Sequence, residues 1–101
     1  MDCAFCNISK DKIILQNKLA FAVHDKYPQS KGHLLIIPSS HCENFFACGE
    51  DEQKAMIELL NEAKNFSDRQ LNPSGYKINI NTGKSAGQII MHAHIHLIPC
   101  Y

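Results

Sequence analysis

A chain of 101 residues has room for one domain, and we expect residues 1–101 to form it. Hydrophobic residues make up 45% of the sequence and charged residues 20%, which is typical of a folded domain and excludes a disordered chain. Ten Lys and Arg balance ten Asp and Glu, so no overall positive field attracts a nucleic-acid polymer or an anionic membrane. Since neither a membrane span nor a signal-peptide pattern is found, we expect a cytoplasmic protein.

Five cysteines occur, namely Cys3, Cys6, Cys42, Cys48 and Cys100. Their odd number does not suggest a small secreted module held together by disulfides. We therefore expect thiols or metal ligands rather than bridges.

Five strands and one long helix are predicted along the chain. The strand patterns cover residues 13–16, 19–24, 32–37, 76–81 and 89–99. A short helix or turn is expected over 40–48. The long helix is predicted over 51–71, because apolar residues recur there at helical spacing and acidic residues 50–52 suit its N-terminal dipole. This order predicts an α+β fold, with an antiparallel sheet covered on one face by the long helix.

Half of the six histidines fall in one run, Met91-His92-Ala93-His94-Ile95-His96-Leu97-Ile98. Side chains alternate between the faces of a strand, so Met91, Ala93, Ile95 and Leu97 are expected in the core and the three histidines on the opposite face. A single histidine there would be an ordinary outward-facing residue. Three in register indicate a chemical site.

Two chemical interpretations of this row compete. In the first, an H-x-H pair chelates a catalytic metal. All three histidines cannot bind one ion, because same-face neighbours in a strand lie roughly 6.6 Å apart and metal–nitrogen bonds are about 2.0–2.1 Å long. In the second, one imidazole is a nucleophile, which must be neutral, fixed in its tautomer and close to anion-binding groups.

The segment before the row offers such anion-binding groups. Gly83 and Gly87 allow backbone N–H groups to turn towards an anion. Asn81 and Gln88 supply side-chain amides, and Ser85 supplies a hydroxyl.

The run His92-Ala93-His94-Ile95-His96-Leu97-Ile98 resembles the signature His-φ-His-φ-His-φ-φ, with φ apolar, of the histidine-triad superfamily of nucleotide hydrolases and transferases. Further segments resemble the same family in order and spacing. They are Cys3-Ala4-Phe5-Cys6, Ala22-Val23-His24-Asp25 and Lys31-Gly32-His33-Leu34-Leu35-Ile36-Ile37-Pro38-Ser39-Ser40-His41. The resemblance implies a five-stranded antiparallel sheet with one long and one short helix, and a homodimer in which two sheets join into one of ten strands.

The resemblance also implies a role for each residue. His94 would attack the α-phosphorus of a nucleotide and form a covalent nucleotidyl-histidine, with His96 as a hydrogen-bond partner on the phosphate side. Asn81 and Gln88 would position the phosphate, and Asp25 would bind the ribose hydroxyls. The candidates for the wall of the base pocket are Phe5, Ile8 and Val23.

A structural zinc is implied by the same resemblance, which brings His41 and His92 to Cys3 and Cys6 as in bacterial members of the family. Two thiolates and two imidazoles make a closed tetrahedral site. The alternatives are a reduced thiol pair, an ordinary loop histidine at position 41, and a His92 that only shapes the strand.

The function implied is hydrolysis of purine nucleoside phosphoramidates or related mononucleotide esters at the α-phosphate. Hydrolysis of dinucleoside polyphosphates is the nearest alternative. A rival from another class is a zinc-stabilised purine-nucleotide binding module with little turnover. Ile89 favours this rival, because many family members have at that position a Ser or Thr that donates a hydrogen bond to the phosphate or leaving group.

Overall fold

The molecule, described over residues 3–101 by a computed structural model, is built on one antiparallel sheet. The elements are β1 (Leu15–Gln16), β2 (Ala20–His24), β3 (Leu34–Pro38), α1 (Glu50–Leu71), β4 (Gly75–Asn79) and β5 (Ile95–Cys100). The strands lie in the order β1-β2-β3-β5-β4, and all neighbouring pairs are antiparallel. The predicted α+β fold with a five-stranded antiparallel sheet is confirmed.

The long helix α1 ends at Leu71 as predicted and begins at Glu50, one residue earlier than predicted. Its first turn is acidic, and the Glu52 carboxylate accepts a hydrogen bond from the Gly49 N–H at 2.7 Å, which satisfies one of the free donors at the N-terminus. Asn72 ends the helix in the left-handed conformation, with φ 48°, and Pro73 follows. Within residues 3–101 there is no helix long and apolar enough to cross a membrane.

One face of the sheet packs against α1. Alternation along the strands brings every second residue to this face, where the helix buries its apolar stripe. The buried residues of this core include Ala20, Ala22, Leu34, Ile36, Met56, Leu59, Ala63, Ala93, Ile95 and Leu97.

The opposite face carries a second, smaller apolar cluster. It consists of Phe5, Phe21, Val23, Leu35 and Ile37, with Cys3, Ile8, Ile13 and Ile90 packed around it. The N-terminal segment therefore covers this face, and it brings its cysteines close to the end of β3.

The last strand is shorter than predicted. It begins at Ile95 instead of residue 89, because its ladder with β3 stops at the pair Ile36 and Ile95. Pro38, near the end of β3, has no N–H to extend the ladder, and the Ala93 N–H bonds to the Cys42 carbonyl at 2.7 Å instead. Ala93, Ile95 and Leu97 lie in the core as predicted, whereas Met91 is only half-buried.

The segment after β3 corrects two expectations. The short helix expected over 40–48 is a single 3₁₀ turn, Phe45–Ala47. This turn folds the chain back on itself, and Cys42 and Cys48 are joined by a disulfide. The expectation of no bridge was wrong, because the parity of the cysteine count says nothing about a pair that a local turn brings together.

Candidate active site

The three histidines of the row lie on the face opposite α1, with His92 and His94 just before β5 and His96 as its second residue. His92 is fully buried, His94 is 8% exposed and His96 is half-buried. The Phe5 ring packs edge-on against His94, with ring centroids 5.0 Å apart, and against His92 at 5.9 Å. Each imidazole has one nitrogen held by a fixed partner, which sets the state of its other nitrogen.

His92 presents a lone pair to the cysteines. Its Nε2–H donates to the Pro38 carbonyl at 2.9 Å, so neutral His92 carries no proton on Nδ1. Nδ1 lies 3.3 Å from Cys3 Sγ and 3.5 Å from Cys6 Sγ. Burial lowers the pKa of His92, which keeps the imidazole in the neutral form that a metal requires.

The four predicted metal ligands are brought together. Cys6 Sγ lies 3.3 Å from Nδ1 of His41, and the ligand atoms of Cys3, Cys6, His41 and His92 all lie within 4.8 Å of one another. Tetrahedral zinc with bonds of about 2.0–2.3 Å needs ligand atoms about 3.3–3.8 Å apart. The donor set and its spacing therefore fit a metal ion, and the Pro38 carbonyl supplies the outer hydrogen bond that usually orients a ligating histidine.

His94 is held in the opposite tautomer to His92. Its Nδ1–H donates to the backbone carbonyl of His92 at 2.8 Å, so Nε2 is the unprotonated nitrogen. A neutral imidazole with one nitrogen anchored and the other free has the arrangement that a histidine nucleophile needs.

A second group of ligand-type atoms lies beside His94. Asp25 Oδ2, His33 Nε2 and His96 Nδ1 are within 4.8 Å of one another. The Gln29 N–H donates to His33 Nδ1 at 3.1 Å, so the proton of neutral His33 sits on Nε2, where it blocks coordination of a metal. These three residues therefore form a hydrogen-bonded group and not a metal site, and we call this group the relay.

His33 is the centre of the relay. Its Nε2 lies 2.9 Å from His96 Nδ1 and 3.3 Å from Asp25 Oδ2. Burial lowers the pKa of His33, and the nearby Asp25 carboxylate only partly opposes this shift. Burial also lowers the pKa of His96, helped by repulsion from His94 and His33. Neutral His96, which accepts at Nδ1, must carry its proton on Nε2, and it is therefore a hydrogen-bond donor.

Gln88 is the predicted phosphate residue whose contacts are most informative. It is 3% exposed, and its amide nitrogen donates to the carbonyls of Glu43 at 2.7 Å and Ile90 at 2.9 Å. Its amide oxygen accepts from the Gly83 N–H at 2.8 Å. Both amide hydrogens are thus already used within the protein, and the side chain braces the glycine-rich loop.

The other predicted binding residues differ in burial and in contacts. Asp25 is half-buried, and its Oδ1 also accepts from the Tyr27 N–H at 2.9 Å. Asn81 is half-buried. Its amide nitrogen lies close to Gly87, since a Cβ added to that glycine would be 3.4 Å from it. Ser85 is exposed on the 3₁₀ turn Lys84–Ala86. Phe5 and Val23 are buried in the second cluster, with Ile8 at its margin, so a role of these three in base binding stays a prediction.

Two parts of the site were not predicted from the sequence. His33 was noted only as part of a family segment. Its position between Gly32 and the first residue of β3 is a sequence feature that could have pointed to it. The carbonyls of Pro38, Glu43 and Cys42 fix His92, Gln88 and Ala93, and main-chain acceptors leave no mark in a sequence.

The sheet is antiparallel and carries a long helix on one face. Its other face carries a row of histidines that are held in different tautomers. This combination defines a protein of the histidine-triad type. Residues 7–101 match the family model of the HIT domain, and the chain belongs to this family.

Relatives of known sequence and structure match nearly the whole chain. An uncharacterised HIT-like protein of Saccharolobus solfataricus is 34% identical over 98% of this chain and 74% of its own length. The adenosine 5′-monophosphoramidase hnt1 of Schizosaccharomyces pombe is 30% identical over 98% of this chain and 74% of its own. The crystal structure of a HIT family protein from Bacillus anthracis is 30% identical, with a TM-score of 0.92 over 99% of this chain and 74% of that one.

Proposed function

We propose that this protein is a nucleotide hydrolase that cleaves purine nucleoside phosphoramidates or related mononucleotide esters at the α-phosphate. The observation that carries the proposal is the 2.8 Å bond from His94 Nδ1–H to the His92 carbonyl, which leaves Nε2 with a lone pair. Membership of the HIT family supports a reaction on nucleotides, and the similarity to a fission-yeast protein named adenosine 5′-monophosphoramidase supports the substrate class.

In the first step, His94 Nε2 attacks the α-phosphorus. A phosphorus–nitrogen bond forms as the bond to the leaving amine breaks, and the amine nitrogen takes a proton from solvent as it departs. The Nε2–H of His96 donates to a phosphate oxygen and stabilises the charge that develops there. Because the Nδ1 of His96 is held by His33 at 2.9 Å, this donor is fixed before the substrate arrives.

In the second step, water attacks the nucleotidyl-histidine. The bond between phosphorus and His94 breaks, the water oxygen stays on phosphorus in the departing nucleoside monophosphate, and one proton returns to solvent. The imidazole is then back in its starting tautomer. Asn81 and Ser85 supply further donors for the phosphate, while Gln88 acts by holding the loop. The Asp25 carboxylate binds the ribose hydroxyls through the lone pairs that Tyr27 and His33 leave free.

We further propose that Cys3, Cys6, His41 and His92 hold a structural zinc. Four protein ligands fill a tetrahedral shell and leave no open position for substrate or water. The ion would tie the N-terminal segment to the chain just after β3 and to the segment that leads into β5, and it would contribute folding free energy.

The proposed assembly is a homodimer paired through β4. This strand lies at the edge of the sheet, and Ile78 within it and Ile80 just after it are 53% and 38% exposed. Pairing of two β4 strands would satisfy the open backbone edge and give a continuous ten-stranded sheet. Sedimentation should show a species of about twice 11.4 kDa at micromolar concentration, and a pure monomer there would contradict the pairing.

One observation favours a binding module as the second candidate. Ile89 is 90% exposed and has no hydrogen-bond donor in its side chain, so the leaving group receives no help from this position. Such a protein would bind purine nucleotides and release them unchanged.

The test is a panel of adenosine and guanosine phosphoramidates and dinucleoside polyphosphates, assayed with wild type and His94→Asn. The Asn amide can still donate to the His92 carbonyl, but it has no atom at the position of Nε2. We expect turnover to fall by at least the 10²–10⁴-fold typical of a lost acid–base group, because the nucleophile itself is removed.

The matched control is His24→Asn, which replaces an exposed histidine at the end of β2. It should keep wild-type turnover. Retention of turnover in His94→Asn would refute the nucleophile. Micromolar binding of nucleotides by a wild type that turns over no substrate would establish the binding module instead.

A further inference from the structure

The disulfide between Cys42 and Cys48 closes a ring of seven residues beside the candidate nucleophile. Inside the ring, the Asn44 side chain accepts from the Ala47 N–H at 2.9 Å. From α1, the Gln53 side chain donates to the carbonyls of Phe45 at 2.9 Å and Cys48 at 3.2 Å. The ring is therefore anchored on the helix.

Two carbonyls of the ring hold the segment that leads into β5. The Cys42 carbonyl accepts from the Ala93 N–H at 2.7 Å, and the Glu43 carbonyl accepts from the Gln88 side chain at 2.7 Å. Ala93 lies between His92 and His94, so the first of these bonds fixes the backbone between the metal-ligand candidate and the nucleophile.

The ring takes the place of a missing strand partner. The ladder between β3 and β5 ends at the pair Ile36 and Ile95, and residues 88–94 lie beyond it. Without the bridge, residues 42–48 would have more conformations, and the remaining hydrogen bonds of Asn44 and Gln53 would fix the directions of the two carbonyls less closely.

We propose that the ring closed by Cys42 and Cys48 is a positioning element for His94, and that reduction of its bridge lowers turnover while the sheet stays folded. The inference rests on the proposed function for its effect on turnover. In the step, a dithiol or phosphine reductant gives two electrons to the S–S bond, two protons are taken up, and two thiols form while the reductant is oxidised. Cys42 is half-buried, so one sulfur can be reached from solvent.

The experiment compares the oxidised protein with protein treated with tris(2-carboxyethyl)phosphine, which becomes its phosphine oxide. We expect kcat to fall about tenfold or more with KM changed less than twofold, and the Ala93 amide to exchange its hydrogen at least tenfold faster. The far-UV circular dichroism and the metal content should not change. Reoxidation with glutathione disulfide should restore kcat.

Two variants separate the ring from the other thiols. Cys42→Ser/Cys48→Ser should have the low kcat with and without the phosphine. Cys100→Ser, which changes a cysteine that the structure leaves unbridged, should respond to the phosphine as wild type does.

Three results would overturn the positioning role. These are an unchanged kcat after reduction, an unchanged exchange rate at Ala93, and loss of metal in parallel with activity, which would assign the effect to the cysteine and histidine cluster. If the oxidised protein turns over no substrate, the proposed function fails, and the exchange rate at Ala93 still decides whether the ring fixes the segment.

Discussion

Replacement of His92 by Gln isolates the role of one ring nitrogen. The Gln amide can place its nitrogen near the position of the imidazole Nε2 and keep the hydrogen bond to the Pro38 carbonyl, which is 2.9 Å long in the wild type. No atom of Gln replaces Nδ1, which lies 3.3 Å from Cys3 Sγ. The change therefore removes one of four proposed zinc ligands and leaves the buried carbonyl satisfied.

The size of the effect follows from the energetics of structural zinc sites. Such sites contribute about 10–16 kcal/mol, so one ligand in four corresponds to about 3–4 kcal/mol, or a 10²–10³-fold loss of zinc affinity. At about 4–8 °C per kcal/mol for a domain of this size, the melting temperature should fall by roughly 12–32 °C.

The assay is thermal unfolding with stoichiometric zinc and, separately, with excess chelator, together with metal analysis after dialysis. In chelator the wild type and His92→Gln should melt at similar temperatures, because they then differ only in a ligand that binds nothing. His92→Asn is the matched comparison. Its shorter amide cannot reach Pro38, so it should lose about 1–3 kcal/mol more for the unpaired buried carbonyl, even in chelator.

The reasoning would be refuted if His92→Gln kept a full equivalent of zinc and the wild-type melting temperature. A gap between wild type and His92→Gln that persisted in chelator would also refute it, since the effect would then come from packing. Metal-free protein that stayed folded but lost all turnover would support a catalytic metal instead.

Three further predictions concern binding, pH and the backbone. Asp25→Ala should weaken nucleotide binding by about 10- to 150-fold, the value of a hydrogen bond to a charged group, with a much smaller loss for 2′,3′-dideoxy analogues in calorimetry; equal losses would remove the ribose role. Burial lowers the pKa of His33 and His96 below the ordinary 6.5, so as the pH falls through 6.5 the unfolded chain takes up protons before the folded protein does. The free energy of unfolding, measured by urea titration in excess chelator so that metal binding adds no pH dependence of its own, should be level just above this pH and fall below it by up to about 1.4 kcal/mol per pH unit for each histidine, whereas a flat profile would contradict the shifts. Gly32→Ala should cost about 1–2 kcal/mol in the same titration, because Gly32 has φ +87° and a Cβ there would lie 2.2 Å from Leu71 Cδ1; an unchanged midpoint would count against this strain.

The sequence predicts the parts of this protein that depend on side-chain pattern. The helix over 50–71 follows from apolar spacing and an acidic first turn, and the metal-ligand cluster follows from a family resemblance that covers distant segments. The start of β5 could not be predicted, because it depends on the register that β5 adopts against β3 and on the Cys42 carbonyl taking the Ala93 N–H. Gln88 likewise looks like a free amide donor in a sequence, and only its three internal hydrogen bonds show that it is occupied.

The bond between His94 Nδ1 and the carbonyl of residue 92 has a consequence for how this protein can change over time. A backbone carbonyl is provided by every amino acid, so the tautomer of His94 does not depend on which side chain position 92 carries. A lineage, or a protein engineer, can therefore change the side chain at position 92, losing the metal site and the bond to Pro38, and still keep the nucleophile in its working tautomer. The metal cluster and the nucleophile are neighbours in the chain, yet each is open to selection on its own.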